Sequence, residues 1–227
     1  MRYRYLLIDN DNTLMDFNAA EAKALTETLV HHGLPADDAT VQAYHEINDA
    51  LWKALERGET TQQALKVERF RKLLGALGRE EESPAALSAE YAENLGHHAD
   101  LLPGAAEFVR AVQGRMKIAL VSNGVSAIQR SRLARCPLSP LFDAVVISEE
   151  VGAAKPDPRI LRVAMDKLGC TDPAQAVMMG DSLTADIPAA VRAGVDSIYF
   201  SPEGKTSPAA TYCVSTHEEA LELLMEE

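Results

Sequence analysis

The chain has 227 residues, of which 47% are hydrophobic and 25% are charged, a composition typical of globular domains. Its 34 acidic residues outnumber 22 Lys and Arg, and the net charge of −12 argues against binding to nucleic-acid polymers, which depends on dense basic residues. No run approaches the ~18 apolar residues of a membrane span, and the amino terminus lacks a signal-peptide pattern, so we expect a cytoplasmic protein without membrane contact.

The first predicted element is a short apolar run at residues 4–9, and four similar runs follow it. These runs cover residues 117–122, 143–147, 176–181 and 196–200. Near-continuous apolar runs of this length are typical of strands buried on both faces of a parallel sheet. Helical spacing occurs in residues 104–114, 125–136, 157–169 and 184–194, and an edge strand at 212–214 precedes a closing helix at 216–225. The alternation predicts an α/β fold with a Rossmann-like doubly wound parallel sheet, which binds ligands at the carboxyl ends of its strands.

Residues 16–100 interrupt this alternation directly after the first predicted strand. Apolar residues recur there at helical spacing in four segments, 18–32, 38–57, 60–77 and 84–98. The segment holds 16 acidic and 8 basic residues, so it carries a net charge of −8. We therefore predict a core formed by residues 1–15 and 101–227, with an all-α four-helix insertion at residues 16–100.

Four groups of polar residues follow predicted strands, where a doubly wound sheet brings them to one edge. They are Asp9, Asp11 and Thr13; Ser122, Asn123 and Gly124; Lys155 with Pro156; and Asp181 with Asp186. Four carboxylates at one edge would repel each other unless a cation lay among them. Because the set contains no His or Cys, a hard, oxygen-ligated ion such as Mg²⁺ fits it better than Zn²⁺.

Each polar group alone has a structural alternative. The segment from Asp9 to Thr13 also suits a turn, Ser122 to Gly124 is a common turn sequence, and residues 181–186 suit a loop at a helix amino terminus. The four groups nevertheless occur in order, each at the end of a predicted strand or in the loop that follows. Their co-occurrence favours a functional site.

The four groups resemble the motifs of the haloacid dehalogenase superfamily of phosphohydrolases, and the helical insertion resembles the cap of that superfamily. The motifs read Asp9-Asn10-Asp11-Asn12-Thr13, Ser122-Asn123-Gly124, Lys155-Pro156 and Gly180-Asp181-Ser182, with Asp186 four residues later. The resemblance implies hydrolysis of a small phosphate ester with Mg²⁺ as cofactor. It makes residues 1–15 and 101–227 the catalytic core and residues 16–100 a helical cap domain.

In this resemblance Asp9 is the nucleophile that forms an aspartyl phosphate, and Asp11 is the general acid and base. A turn after Asp9, braced by Thr13, must bring both carboxylates toward the phosphate. Two residues depart from the superfamily pattern. Asn12 stands where a small residue, often Gly, is usual, and we expect it to tolerate a left-handed backbone. Asn10 replaces a residue that is more often apolar, and the resemblance gives it no role.

The remaining motif residues receive phosphate and metal roles from the same resemblance. The implied phosphate-binding groups are Ser122, Thr13 and the backbone N–H groups of Asn123 and Gly124, and Lys155 neutralises developing charge. The implied metal ligands are the Asp9 carboxylate, the Asp11 backbone carbonyl and Asp181. Asp186 would orient Lys155 or metal-bound water.

Parts of the chain are similar to a subfamily of pyrimidine nucleoside 5′-monophosphate phosphatases. These parts are residues 47–52, 56–61 and 68–70 in the cap, and residues 123–125, 147–152 and 154–156 with Gln129, Arg132 and Leu133 in the core. The similarity implies a pyrimidine nucleotide substrate, with a sugar-phosphate or phosphoglycolate phosphatase as the alternative. Asp11 argues against a dehalogenase, which needs no second acid there. It also argues against a phosphoryl-accepting signalling domain, which must keep its acyl phosphate.

Three residues are candidates for substrate specificity, because a nucleobase needs an apolar or aromatic slot and a few hydrogen-bond partners. Phe17 lies where the chain enters the cap, Trp52 is the single tryptophan, and Arg69 can reach a substrate oxygen. Their structural alternatives are hinge packing for Phe17, cap core for Trp52, and solvent-exposed pairing of Arg69 with Glu68 or another cap acid.

Overall fold

The computed structural model describes residues 2–226 and contains a six-stranded sheet in which all pairings are parallel. Its strands are β1 (Tyr5–Ile8), β2 (Lys117–Ser122), β3 (Ala144–Ile147), β4 (Ala176–Gly180), β5 (Asp196–Phe200) and β6 (Tyr212–Val214). The spatial order is β3-β2-β1-β4-β5-β6. The Rossmann-like α/β fold predicted from the apolar runs is confirmed.

The helices lie between these strands and in the segment after β1. They are α1 (Phe17–His31), α2 (Asp38–Glu56), α3 (Gln62–Ala76), α4 (Pro84–His97), α5 (Ala105–Val112), α6 (Ser126–Arg135), α7 (Ser148–Val151), α8 (Arg159–Leu168), α9 (Asp186–Ala193) and α10 (His217–Met225). Within the described residues, no helix combines the length and the apolar content that crossing a bilayer requires.

Side chains alternate between the two faces of the central strand. Leu6 and Ile8 pack into a hydrophobic cluster with residues of α5, α6 and α10, whereas Leu7 packs on the other face with residues of α8 and α9. Both faces are therefore covered, as buried parallel strands require. Strand β1 pairs with β2 on one side and β4 on the other, so the carboxyl ends of three strands lie next to each other. Ligand sites of doubly wound sheets lie at such a position.

The chain divides into two compact units, Met1–Phe17 with Ala99–Glu227, and Asn18–His98. The second unit contains the helical segment, and its boundaries differ by two residues from those expected for the cap. Helices α2, α3 and α4 begin after Asp37, Thr61 and Ser83, whose side chains each accept a hydrogen bond from the backbone N–H three residues later. Such N-caps satisfy N–H groups that a helix start leaves unpaired.

Candidate functional site

Asp9 directly follows β1 and forms a buried ion pair with Lys155. The Asp9 backbone N–H donates to the carbonyl oxygen of Met179 at 2.9 Å. This hydrogen bond continues the β1–β4 pairing and fixes Asp9 at the carboxyl end of β1. Nζ of Lys155 contacts Oδ1 of Asp9, donates to the carbonyl oxygen of Val121 at 2.8 Å and lies 2.8 Å from Oδ1 of Asp186. One buried ammonium group thus joins the ends of β1 and β2 to the first residue of α9.

Burial and mutual repulsion control the ionisation of these groups. Burial raises the pKa of Asp9 to about 7; Lys155 opposes this shift, while Asp186 and Asp11 add to it. The pKa of Asp181 also lies well above its ordinary value because the carboxyl is buried near Asp9 and Asp186. Burial alone would lower the pKa of Lys155, but the Asp186 and Asp9 carboxylates hold it above its ordinary value.

Asp9, Asp181 and Asp186 form a carboxylate cluster whose potential ligand atoms all lie within 4.8 Å of one another. One ammonium group, on Lys155, faces these three acids, so the cluster retains an excess of negative charge when all are ionised. A divalent cation with oxygen ligands fits this donor set and would offset the mutual repulsion of the carboxylates, which adds to the effect of burial on their pKa values. The site therefore suits a hard cation.

Asp11 lies in a tight reversal of the chain after Asp9. Asn12 has a φ of 58°, the left-handed conformation that the sequence led us to expect. The carbonyl oxygen of Asn10 accepts hydrogen bonds from the backbone N–H groups of Leu14 and Met15, both at 2.9 Å. In an extended strand, side chains two positions apart lie on the same face, but this reversal breaks the strand geometry after Asp9. It gives the two acids separate partners.

Thr13 is buried beyond this reversal, and its carbonyl oxygen lies 2.8 Å from Nε2 of His217 on α10. Nδ1 of the same ring lies 2.9 Å from the carbonyl oxygen of Pro103. His217 therefore connects the closing helix to the backbone of the Asp9–Thr13 loop. The two residues lie 204 positions apart in the sequence, so only the fold shows the connection.

Two side chains of α6 bind the Asp11 carboxylate. Nη1 of Arg132 contacts Oδ1, and Nε2 of Gln129 donates to Oδ2 at 2.6 Å. Nδ2 of Asn10 donates to Oε1 of Gln129 at 2.7 Å. Arg132, Gln129 and Asn10 are all buried. The residue to which the motif resemblance gave no role is thus part of a hydrogen-bonded network around Asp11.

The similarity to nucleotide phosphatases included Gln129 and Arg132 without giving them a role, and the sequence carried a further signal for this network. Gln129 and Arg132 lie three positions apart on α6, and buried apolar residues, Ile128 and Leu133, flank them on the same helix. Residues three apart share a helix face. Polar residues within a buried helix face require buried partners, and here the partner is Asp11.

The Ser122–Gly124 motif begins at the last residue of β2 and connects to the backbone around Lys155. The Asn123 side chain donates from Nδ2 to the Lys155 carbonyl oxygen at 2.7 Å and accepts from the Lys155 backbone N–H at 2.8 Å. Ser122 is buried, and its Oγ accepts a hydrogen bond from the Gly124 N–H at 3.0 Å. Ser122 therefore lies at the end of β2, and the two hydrogen bonds of the Asn123 side chain fix the loop that contains Lys155.

The three specificity candidates lie in different surroundings. Phe17 is half-buried, and the Arg132 guanidinium carbon lies 5.8 Å from the centroid of its ring. Trp52 is half-buried on α2 within the helical unit.

Arg69 belongs to the interior of the helical unit. Its guanidinium lies 4.5 Å from the Tyr91 ring centroid, and Nη1 donates to Oδ1 of Asn48 at 3.2 Å. The expectation of solvent-exposed pairing with Glu68 or another cap acid is wrong, because Arg69 is 3% exposed and Glu68 pairs with Arg71. Arg69 instead lies on the buried face of α3, against aromatic rings and the Asn48 amide, and its charge favours the ionised form of the buried Glu21 carboxyl.

Comparisons with known proteins agree with this geometry. Residues 3–194 match the family described as haloacid dehalogenase-like hydrolase. The chain is 35% identical to the pyrimidine 5′-nucleotidase PynA of Streptococcus pneumoniae, over 99% of this chain and 96% of that protein. It is 30% identical to the pyrimidine 5′-nucleotidase YjjG of Escherichia coli, over 99% of each chain. The magnesium-bound crystal structure of the putative HAD-hydrolase YfnB of Bacillus subtilis superposes with a TM-score of 0.93, at 33% identity and full coverage of both chains.

Proposed function

Because this chain belongs to the haloacid dehalogenase-like hydrolase family, we propose that it is a Mg²⁺-dependent phosphomonoesterase acting through an aspartyl phosphate on Asp9. We assign catalysis to Met1–Phe17 with Ala99–Glu227 and substrate selection to the helical unit Asn18–His98, together with Phe17. The preferred substrate class is the pyrimidine nucleoside 5′-monophosphates.

The observation that carries this proposal is the contact of Lys155 with Asp9 beside two further acids. Asp9, Asp181 and Asp186 gather their oxygens within 4.8 Å, and the Lys155 ammonium contacts two of these three residues. The site combines a place for a cation with a fixed positive charge next to a buried carboxylate. A phosphoryl group needs both, because its oxygens carry negative charge throughout transfer.

The Asp9 and Asp181 carboxylates, with the backbone carbonyl of Asp11, would hold Mg²⁺. When bound, the ion supplies positive charge that orients and neutralises the transferring phosphoryl group. Asp186 accepts a hydrogen bond from the Ser182 backbone N–H at 3.0 Å and also faces Lys155, which suits a residue that orients the ammonium.

In the first step the Asp9 carboxylate attacks phosphorus, an Asp9–phosphorus bond forms and the bond to the ester oxygen breaks. Asp11 gives its proton to that oxygen as it leaves. In the second step Asp11 takes a proton from water, which attacks phosphorus and releases phosphate from Asp9. Lys155, Ser122 and the Asn123–Gly124 backbone face the phosphoryl oxygens in this mechanism.

The preference for pyrimidine nucleotides is supported by the two relatives named as pyrimidine 5′-nucleotidases, each aligned over nearly its whole length. The test is a panel of kcat/KM values measured with Mg²⁺ by phosphate release. Deoxyuridylate and thymidylate are compared with purine nucleotides, hexose phosphates and phosphoglycolate. We expect the pyrimidine nucleotides to give the highest values. A higher value for a purine nucleotide, a sugar phosphate or phosphoglycolate would reject the substrate class and retain the chemistry.

The chemistry has its own test in Asp9→Asn. The amide cannot form the aspartyl phosphate, so activity should fall below detection on every ester of the panel. Asp166→Asn is the matched control, because Asp166 is an exposed carboxylate on α8. Full activity of Asp9→Asn would reject the covalent mechanism.

A further inference from the structure

The Asp11 carboxylate is held at both oxygens by side chains of one helix. Arg132 contacts Oδ1, Gln129 donates to Oδ2, and Asn10 donates to the Gln129 carbonyl oxygen. We propose that Gln129, supported by Asn10, and Arg132 are positioning residues that fix the direction of the Asp11 carboxyl group for proton transfer. This inference rests on the proposed function, in which Asp11 is the general acid and base.

The charge of Asp11 determines the orientation of the two amides. The carboxylate is an acceptor, so the Gln129 group that faces it must be the N–H donor. The Gln129 carbonyl oxygen then points away from Asp11 and requires a donor, which is Nδ2 of Asn10. Reversing either amide would place two acceptors against each other. Asn10, Gln129 and Asp11 therefore form a chain of hydrogen bonds with one consistent direction.

Burial is unequal along this chain of contacts. Arg132 is fully buried and Gln129 is 2% exposed, whereas the Asp11 side chain remains 23% exposed. Each carboxylate oxygen can accept more than one hydrogen bond. The donors of α6 hold Asp11 from the protein side and leave part of the carboxyl group accessible for exchange of a proton.

The Gly124 position provides the space that Gln129 needs. A Cβ atom at Gly124 would lie 2.4 Å from Nε2 of Gln129 and 2.8 Å from its Cγ. Any other residue would displace the amide that donates to Asp11. The glycine of the Ser122–Gly124 motif is thus compatible with this network only because it lacks a side chain.

The direction of Asp11 matters most when the leaving oxygen is strongly basic. An alkoxide needs the Asp11 proton while its bond to phosphorus breaks, whereas p-nitrophenolate leaves without protonation. Loss of positioning should lower kcat/KM for alkyl phosphates and spare kcat/KM for p-nitrophenyl phosphate. A purely structural role would lower both values by the same factor.

The test variant is Gln129→Met, which keeps the length and volume of the side chain and removes its donor. The substrates are p-nitrophenyl phosphate and the alkyl phosphate that the wild-type enzyme hydrolyses best. We expect kcat/KM for the alkyl phosphate to fall about tenfold, the effect of one hydrogen bond to a charged group, while the other value stays within about twofold. Arg135→Met, on the exposed face of α6, is the control and should change neither value.

Two further variants approach the same contact independently. Gly124→Ala keeps the Gln129 side chain but displaces its amide group. It should therefore also lower kcat/KM for the alkyl phosphate more than kcat/KM for p-nitrophenyl phosphate. Arg132→Lys keeps the buried charge and loses the planar guanidinium. It should lower kcat/KM for the alkyl phosphate less than Arg132→Met does.

The outcomes separate this inference from the proposed function. If the wild-type enzyme hydrolyses neither ester, both the proposed function and this inference are rejected. If the wild type hydrolyses both esters and Gln129→Met lowers the two kcat/KM values equally, the phosphatase activity stands and the positioning role is rejected. Unchanged values in Gln129→Met reject the role as well.

Discussion

Lys155 and Asp186 form an ion pair in which Nζ lies 2.8 Å from Oδ1 and both side chains are 2% exposed. The same ammonium contacts Asp9, so one cation compensates two buried carboxylates. Arg132 is also buried, and it contacts the partly exposed carboxylate of Asp11. Each of the two acids in the proposed mechanism therefore has its own buried cation, one from the loop after α7 and one from α6.

Removing the Lys155 ammonium group should lower the stability of the folded protein. Lys155→Met leaves Asp9 and Asp186 buried without their ammonium, and breaking a buried pair from one side costs about 3–5 kcal/mol. We expect a loss of this size in the free energy of unfolding, measured by urea denaturation without divalent metal. Lys205→Met is the control, because Lys205 and Glu203 are 68% and 70% exposed and such pairs contribute less than about 1 kcal/mol. Equal losses in the two variants would show that the Lys155 charge is not needed for stability.

Gly180→Ala should disturb the same ion pair through packing. A Cβ atom at Gly180 would lie 2.2 Å from Oδ2 and 2.3 Å from Cγ of Asp186, so the carboxylate must leave the position in which it pairs with Lys155. We expect a loss of about 1–3 kcal/mol in stability, as for other overpacked sites, and at least a tenfold fall in kcat/KM for phosphate esters.

Gly75→Ala is the matched control for this prediction. Gly75 lies in α3, and nothing lies within 4 Å of the position that its Cβ would occupy. Alanine there should raise stability by about 0.5–1 kcal/mol, because it favours the helix more than glycine does. A Gly180→Ala enzyme with wild-type kcat/KM would contradict the role given to the position of Asp186.

Much of the fold was accessible from apolar patterning. Strands β2, β5 and β6 have the predicted bounds, and helices α2 and α4 begin where predicted, after Asp37 and Ser83. Parallel strands buried on both faces and helices with side-chain caps leave strong local signals. The short helix α7 was not predicted, because four residues after a strand carry too little periodicity.

The motif residues of the site were also accessible, but their partners were not. Asp9, Asp181 and Asp186 gather as their positions after strands suggest. The contacts of Gln129 with Asp11 and of Arg69 with Asn48 join residues 118 and 21 positions apart. Such pairings depend on which face of a helix meets which neighbour, and the sequence around one residue does not contain that information.

His217 should make stability depend on pH. Burial lowers the pKa of this imidazole, while the Thr13 and Pro103 carbonyl oxygens and the Glu107 carboxylate oppose the shift. A base whose pKa is lower in the folded state binds fewer protons there than in the unfolded chain, so its contribution favours folding above the ordinary pKa of about 6.5 and is lost as pH falls below it. We expect the wild type to lose more stability between pH 7.5 and pH 5.5 than His217→Gln.

The comparison uses urea midpoints of the two proteins at both pH values, since the difference isolates one residue from the other titrating groups. His97→Gln serves as control, because His97 is exposed and lies in the helical unit. If His217→Gln has the pH dependence of the wild type, the buried ring does not titrate in this range. If it has a steeper one, the carbonyl contacts dominate over burial.

Mg²⁺ should stabilise the protein through the carboxylate cluster, independently of any substrate. A ligand that binds only the folded state, present at a concentration 100 times its dissociation constant, adds about 2.7 kcal/mol to the free energy of unfolding. For a chain of this size, that gain raises Tm by about 5–10 °C. Asp181→Asn removes one anionic ligand and one source of repulsion, so the variant should equal or exceed the wild-type Tm without metal and gain less from Mg²⁺. Asp166→Asn should respond to Mg²⁺ as the wild type does. Calorimetric melts with EDTA and with increasing Mg²⁺ provide the measurement, and an equal Mg²⁺ response of Asp181→Asn and the wild type would remove Asp181 from the metal site.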